Sequence, residues 1–222
     1  MSRFQGRDLV PGPVKELGER FTGLLRRLGA AQDNTALGDA LLAAWSTPDR
    51  TYHGLAHLQD CLAQLDGAEA DPATRDLVEA ALWFHDAVYD PRVGDNEVRS
   101  AAWAAEALPA AGISVDLADQ VARLVRLTAR HTPVPDLAGQ LVCDIDLSIL
   151  GRAAEEFDDY GRRVRVEYAW VPEPAYRAGR ARVLQDFLHR DPLFQTPAFR
   201  RRLERQARAN LRRALAALDQ PT

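Results

Sequence analysis

Histidine and aspartate side chains in three short segments have the types and spacing that could bind a metal ion. His53 and His57 are four positions apart, so a helix would place both side chains on one face, about one turn apart. Because Gly54 follows His53, that histidine could instead lie at the entrance of the helix and lean over the same pocket. Taken alone, the pair is equally well explained by two structural histidines.

The second segment is the doublet His85–Asp86, at the end of a strongly apolar run. Burying an unpaired carboxylate is costly, so Asp86 needs a cation or an ion-pair partner. Adjacent side chains on a helix point about 100° apart, and both can still reach one ion beside the helix. The alternative is that Asp86 caps a backbone amide or meets an arginine while His85 packs in the core.

The third segment contains two acids, Asp144 and Asp146, within an otherwise apolar stretch. An aspartate just before an apolar helical run is a common N-cap, which explains Asp144. Asp146 lies deeper in the apolar stretch, where capping is a weaker explanation.

Together, His57, His85, Asp86 and Asp146 form a mixed nitrogen and oxygen set suited to Mn²⁺, Fe²⁺, Ni²⁺, Mg²⁺ or Zn²⁺. Four protein ligands on an octahedral ion leave room for water and a substrate oxygen. A divalent ion acidifies bound water, which makes hydroxide available near neutral pH. Structural zinc sites are closed and often thiolate-rich, and this chain has only two cysteines. The set therefore predicts one open, catalytic metal site.

The elements that position these residues are predicted to be helices, because apolar residues recur at three-and-four spacing along most of the chain. Glycines and prolines separate the segments, and no convincing strand alternation or hairpin signal is present. The predicted helices cover 17–28, 37–45, 54–65, 73–89, 96–108, 117–130, 141–150, 153–170, 174–190 and 197–218. This pattern predicts an all-α, single-domain helical bundle, with an N-terminal helix within 1–30 and a helical domain over 31–222.

Composition restricts the partners of the protein. A net charge of −4 and a pI of about 5.8 argue against nucleic-acid binding, and the arginines of the last helix fit one solvated face. The chain has no apolar run of the roughly 20 residues that span a bilayer, and no signal peptide within 1–13. We therefore expect a cytoplasmic protein without membrane contact. The oligomeric state stays open, with a homodimer among the alternatives.

The order of the three segments resembles the HD superfamily of metal-dependent phosphohydrolases. In that pattern a histidine comes first, a His-Asp doublet follows on another helix, and a final aspartate comes much later. The matching segments are 52–57, 83–90, 95–101 and 144–151, and the chain is most similar to a bacterial group described only as predicted HD phosphohydrolases. Shorter matches at Glu167-Tyr168 and Tyr176-x2-Gly179-Arg180 extend the resemblance over roughly 50–215.

The resemblance implies an HD-type bundle with additional C-terminal helices, and it assigns roles to individual residues. His57 would be the first metal ligand, and Asp146, rather than Asp144, would be the last. Asp86 would act in catalysis as a ligand of the ion that activates water. His53 would donate a proton to the leaving oxygen.

Four further residues are candidates for substrate binding. Tyr176 and Arg180, chosen mainly through the resemblance, have the groups that hold phosphate oxygens and a base. His131 could touch substrate or support a second ion, or could be an exposed histidine at a helix end. Glu97 could orient a ligand histidine, or simply favour the N-terminus of its helix.

The implied function is hydrolysis of a phosphoester or phosphoanhydride in a nucleotide-like small molecule. One alternative is a sensor or interaction module that binds metal and nucleotide without turnover. Another is a helical scaffold whose histidines are only core residues.

Overall fold

A computed structural model describes residues 11–220, and their side chains from residue 14 onward. Over this range the chain forms helices and no strands, which confirms the all-α prediction. The α-helices are α1 Pro11–Arg27, α2 Thr35–Trp45, α3 Leu55–Asp66, α4 Pro72–Phe84, α5 Asn96–Ala110, α6 Val115–Leu127, α7 Leu137–Asp146, α8 Ala154–Glu167, α9 Glu173–His189 and α10 Pro197–Asp219. A 3₁₀ helix, Leu147–Gly151, follows α7 directly. The predicted N-terminal helical segment, 1–30, and the predicted helical domain, 31–222, extend beyond the described residues at 1–10 and at 221–222.

Helix α4 lies at the centre of the bundle and packs against α1, α3, α5, α6 and α7. Residues 80–84 are completely buried, because after a polar first turn the helix is apolar on all sides. Phe21 of α1 packs on Trp83 with ring centroids 4.9 Å apart, so the N-terminal helix belongs to the same core.

The C-terminal end of α4 differs from the prediction. The helix ends at Phe84, whereas the apolar pattern predicted that it continues to 89. His85, Asp86 and Ala87 form a turn beyond the helix. The apolar pattern continues past the helix end because this turn is itself buried.

Side chains from α2 and from the loop after it satisfy the carbonyls at this end of α4. Trp45 Nε1 donates to the carbonyl of Trp83 at 2.9 Å. The guanidinium of Arg50 donates to the carbonyls of Asp86 and Ala87. The last carbonyls of a helix have no intrahelical partner, so these bonds fix the turn within the core.

Asp144 is a structural residue, but the prediction that it is an N-cap is wrong. Helix α7 begins at Leu137, and its N-cap is Asp136. The buried carboxylate of Asp144 instead accepts hydrogen bonds from the backbone amides of Gln195 and Thr196 and from the Thr196 hydroxyl, each at 2.7 Å. Since Thr196 is the N-cap of α10, Asp144 joins α7 to the start of α10.

The 3₁₀ helix brings α10 against the core. A Cβ atom added to Gly151 would lie 2.5 Å from Leu203 Cβ and 2.9 Å from the Leu203 carbonyl oxygen. Only a glycine permits this close approach, which explains the glycine at the end of the Asp146–Gly151 segment.

Helix α9 is much less buried than the helices of the core. Leu184 is its only buried residue among 17, and the helix packs mainly against α10. Across residues 11–220, no helix combines the length and apolar character needed to cross a membrane.

We expect Asp144→Asn to destabilise the protein by about 1–3 kcal/mol, because a neutral amide replaces an acceptor of three hydrogen bonds. Urea unfolding measures this loss, and elemental analysis should show unchanged metal content. The matched control is Asp158→Asn, which removes an exposed ion pair with Arg213 and should cost less than about 1 kcal/mol. Equal losses in the two variants would contradict the anchoring role of Asp144.

Candidate metal centre

Donor atoms from α3, from the turn after α4 and from the end of α7 converge at one place in the bundle. His57 lies on α3, His85 follows α4, and Asp146 is the last residue of α7. His57 Nε2 lies 3.2 Å from His85 Nε2 and 3.1 Å from Asp146 Oδ1, and His85 Nε2 lies 3.6 Å from Asp146 Oδ1. Ligand atoms that bind one ion at ~2.1 Å are separated by ~3.0–3.4 Å. These separations therefore suit a single metal ion.

Two residues are close enough to supply a fourth donor. Cys61 completes a buried group with His57, His85 and Asp146 whose donor atoms all lie within 4.8 Å of one another. Asp86 Oδ2 lies 3.4 Å from His85 Nε2 and 3.9 Å from His57 Nε2. The Cys61 sulfur is 3.8 Å from His57 Nδ1 and 3.7 Å from His57 Nε2, so it lies beside the ring and away from the line of the Nε2 lone pair.

Hydrogen bonds outside the cluster orient two of the donor residues. His85 Nδ1 donates to the carbonyl of Leu82 at 2.8 Å, which leaves Nε2 facing the cluster. Asp146 uses its second oxygen, Oδ2, to pair with His131 Nε2 at 2.8 Å. These outer contacts fix the direction in which each donor points.

His131 is held in an uncommon backbone conformation. Its φ of 49° lies in the left-handed region, which costs a non-glycine residue about 1–3 kcal/mol. Arg190 offsets this strain by donating to the carbonyls of His131 at 3.0 Å and Arg130 at 2.7 Å. The His131 side chain is therefore not the exposed helix-end histidine of one interpretation: it is 11% exposed and lies against Asp146.

The charge of the cluster fits a cation. Among the described residues, no arginine or lysine forms an ion pair with Asp86 or Asp146. Both carboxylates lie at C-terminal helix ends, where the dipoles of α4 and α7 add further negative potential. Burial lowers the pKa of His85, but the charges of Asp86 and Asp146 outweigh this effect and raise it to about 9. Positive charge is thus required here, as imidazolium or as a metal ion with neutral imidazoles.

A second, adjacent group contains His53 and Glu167. His53 Nδ1 lies 2.6 Å from Glu167 Oε2, which also accepts a hydrogen bond from the Tyr89 hydroxyl at 2.9 Å. Glu167 Oε1 accepts from the backbone amides of Tyr52 and His53 at 2.7 and 2.9 Å. The buried last residue of α8 therefore holds both the ring and the backbone of His53.

His53 lies before α3, as one interpretation of Gly54 predicted, since Gly54 is the N-cap of that helix. Burial lowers the pKa of His53, but the hydrogen bond that its ring donates to Glu167 and the charge of Asp86 outweigh this effect and raise it. For Glu167 the signs are opposite: burial raises its pKa, but the hydrogen bond from His53 outweighs burial and lowers the pKa below its usual value. The pair therefore favours an imidazolium beside a carboxylate.

A cavity of about 470 Å³ opens next to both groups. Among the sequence-predicted site residues, it is lined by His53, His131, Asp146, Tyr176 and Arg180. The volume is within the range of roughly 300–1,000 Å³ that small-molecule sites have. The structure thus brings the substrate-binding candidates of α9 to the same space as Asp146, whereas His57, His85 and Asp86 are not among the residues that line the cavity.

Glu97 is not brought to this cavity. It lies half-buried in the first turn of α5 and is not among the residues that line the cavity. An acid at this position favours the positive end of the helix dipole, which is the alternative that the sequence left open. Substrate contact by Glu97 therefore has no support from its position.

Three residues of the site were not assigned a role from the sequence. Cys61 could have been found from its position four residues after His57 on one helix face. Glu167 could have been found because it lies three residues after Val164 on the buried face of α8. Arg50 lies in a loop, where no periodicity indicates a buried side chain.

We expect Glu167→Gln to lower the pKa of His53, because the amide removes both the charge and the acceptor that stabilise the imidazolium. NMR titration of the His53 ring in the metal-free protein measures the shift. The matched control is Tyr89→Phe, which removes one bond to Glu167 but keeps its charge, and should shift His53 less. An unchanged His53 titration in Glu167→Gln would disprove the coupling.

Comparisons of the chain with protein-family models, with curated proteins and with solved structures gave no match. The resemblance to the HD superfamily therefore rests on the sequence motifs alone and stays a prediction.

Proposed function

We propose that the protein is a metal-dependent phosphohydrolase of the HD type that acts on a small molecule. The observation that carries the proposal is the position of the His53–Glu167 pair beside the metal donors, with both groups adjoining one cavity. A structural metal site has no need for a separate proton donor next to a small-molecule cavity.

In this proposal the ligands of one divalent cation are His57, His85, Asp86 and Asp146. The choice of Asp86 rather than Cys61 as the fourth ligand follows from direction: the Asp86 carboxylate lies near the Nε2 atoms of both histidines, whereas the sulfur lies beside one ring. Two imidazoles and two carboxylates suit Mn²⁺, Fe²⁺, Ni²⁺, Mg²⁺ or Zn²⁺.

The bound cation would supply Lewis acidity, which lowers the pKa of a water molecule and neutralises charge on a phosphoryl group. The chain supplies the other elements of hydrolysis. Arg180 holds phosphate oxygens, and Asp146 is kept in position by His131. A water oxygen forms a bond to phosphorus while the bond from phosphorus to the leaving oxygen breaks.

His53 supplies the proton for the leaving group. Its Nδ1 is engaged by Glu167, and its Nε2 makes no hydrogen bond to the described residues. The ring lies 6.0 Å from the His57 ring, next to the metal donors. Nε2 therefore gives its proton to the leaving oxygen and regains one, through solvent, from the water that attacked. The nucleotide-like substrate implied by the resemblance stays a prediction.

We expect Asp86→Asn to lose most of its bound metal and its phosphohydrolase activity, because a weak amide donor replaces a charged ligand. Elemental analysis with a metal-by-substrate hydrolysis screen on the same samples measures both. Cys61→Ala is the matched control and should keep near-stoichiometric metal. If Asp86→Asn keeps its metal and Cys61→Ala loses it, the fourth ligand is the Cys61 thiolate and not Asp86. Metal without turnover in the wild type would favour a sensor, and absence of metal would favour the scaffold.

We expect His53→Gln to keep its metal and to lose about 10²–10⁴-fold in the hydrolysis of alkyl phosphates. The loss should be much smaller with p-nitrophenyl phosphate, because its leaving group needs no proton. In the wild type, activity towards alkyl phosphates should fall as pH rises through the raised pKa of His53, since the donor must be protonated. Equal losses with both substrates would contradict the role of His53 as the acid.

A further inference from the structure

The cavity wall formed by α8, α9 and the loop between them differs in chemistry from the wall formed by the metal cluster. It contributes Val164, Val171, Ala175, Val183 and Phe187, together with the rings of three tyrosines. Val183 is 44% exposed, although it is apolar. A cavity lined mainly by apolar and aromatic side chains, with few polar groups, is typical of a site for a small organic ligand.

The same wall offers one positive charge. Arg180 is the only arginine or lysine among the described residues that line the cavity. Its guanidinium carbon lies 4.8 Å from the centroid of the Tyr160 ring, and no carboxylate of the described residues forms an ion pair with it. This cation is therefore free to pair with an anionic group of the ligand. Apart from Arg180 and the His53 imidazolium, the described lining residues offer no side chain with a fixed positive charge, so a chain of further phosphates would lie mainly against apolar walls.

Among the described residues, the lining also lacks the side-chain amides that pair with the edge of a nucleobase. None of the described lining residues is an asparagine, glutamine, serine or threonine, and Asp146 is already engaged by histidines. A site selects a polar ligand edge by hydrogen bonds that would be lost with another ligand, and this cavity has no side-chain amide for that purpose. The tyrosine rings can stack on any flat or hydrocarbon group.

We infer that the substrate is a monoester with a single phosphate and an uncharged, mainly apolar organic group, aromatic or aliphatic. The inference rests on the proposed phosphohydrolase function and narrows its substrate. The phosphate meets the metal cluster and Arg180, and the organic group lies against the wall that α8 and α9 provide.

Gly179 offers a way to test the position of the organic group. It lines the cavity on α9, and a Cβ added there meets nothing within 4 Å. Gly161 on α8 is equally open but is not among the lining residues, so it is the matched control. Leucine has a higher helix propensity than glycine, so neither substitution should unfold its helix.

The test uses the Mn²⁺-loaded protein and two probes that cannot be hydrolysed, 1-naphthylmethylphosphonate and methylphosphonate. Calorimetry should show the naphthyl probe binding at least about ten-fold more tightly, because it buries apolar surface. Gly179→Leu should abolish the tighter binding of the naphthyl probe, and Gly161→Leu should keep it. Arg180→Met should weaken the binding of both probes. Equal affinities of the wild type for the two probes would overturn the inference, and so would equal effects of Gly179→Leu and Gly161→Leu on the affinity for the naphthyl probe.

Turnover separates this inference from the proposal on which it rests. We expect a higher kcat/KM for 2-(1-naphthyl)ethyl phosphate, an alkyl ester, than for the alkyl esters AMP and glucose 6-phosphate or for ATP, and a preference for AMP or ATP would overturn the inference. If the naphthyl probe binds preferentially but no phosphate compound is hydrolysed, the inferred class of ligand is supported and the phosphohydrolase proposal alone fails.

Discussion

Two carboxylates buried at the meeting point of helix ends are the constraint on which the rest of the site depends. Asp86 and Asp146 lie where α4 and α7 terminate, and three imidazoles surround them in place of arginine or lysine. Negative charge in a protein interior persists only with compensation, and the helix dipoles increase the requirement. The arrangement therefore favours a bound cation. In its absence, the raised pKa of His85 favours an imidazolium that supplies the positive charge.

The placement of donors at helix ends explains the network around them. His57 lies in the first turn of α3, and Asp86 and Asp146 lie at the C-terminal ends of α4 and α7. Ends also expose carbonyls, which must find partners inside the core. Trp45 and Arg50 supply those partners at α4, and Arg190 does so at the turn before α7. The site therefore also depends on polar side chains that do not contact the donor atoms but satisfy the exposed carbonyls at the helix ends.

Most helix positions, and the candidacy of His57, His85 and Asp146 as neighbouring donors, were accessible from the sequence, because both depend on local spacing and residue type. The end of α4 was not, since a buried turn has the same apolar composition as a buried helix. Asp144 and Glu167 show the same limit: their partners, Thr196 and His53, are far away in the chain. Only the folded chain shows which distant amide or imidazole each carboxylate meets.

Helix α9 carries the cavity-lining residues Arg180 and Tyr176, yet it buries only Leu184. Substitutions along this helix therefore alter the shape of the binding space while leaving the packing around α4 nearly untouched. The candidate metal donors, by contrast, lie on α3, on the turn after α4 and on α7, segments that pack into the core. Ligand preference can accordingly diverge between descendants of this chain by changes in one helix, while the chemistry at the inner end of the cavity is preserved.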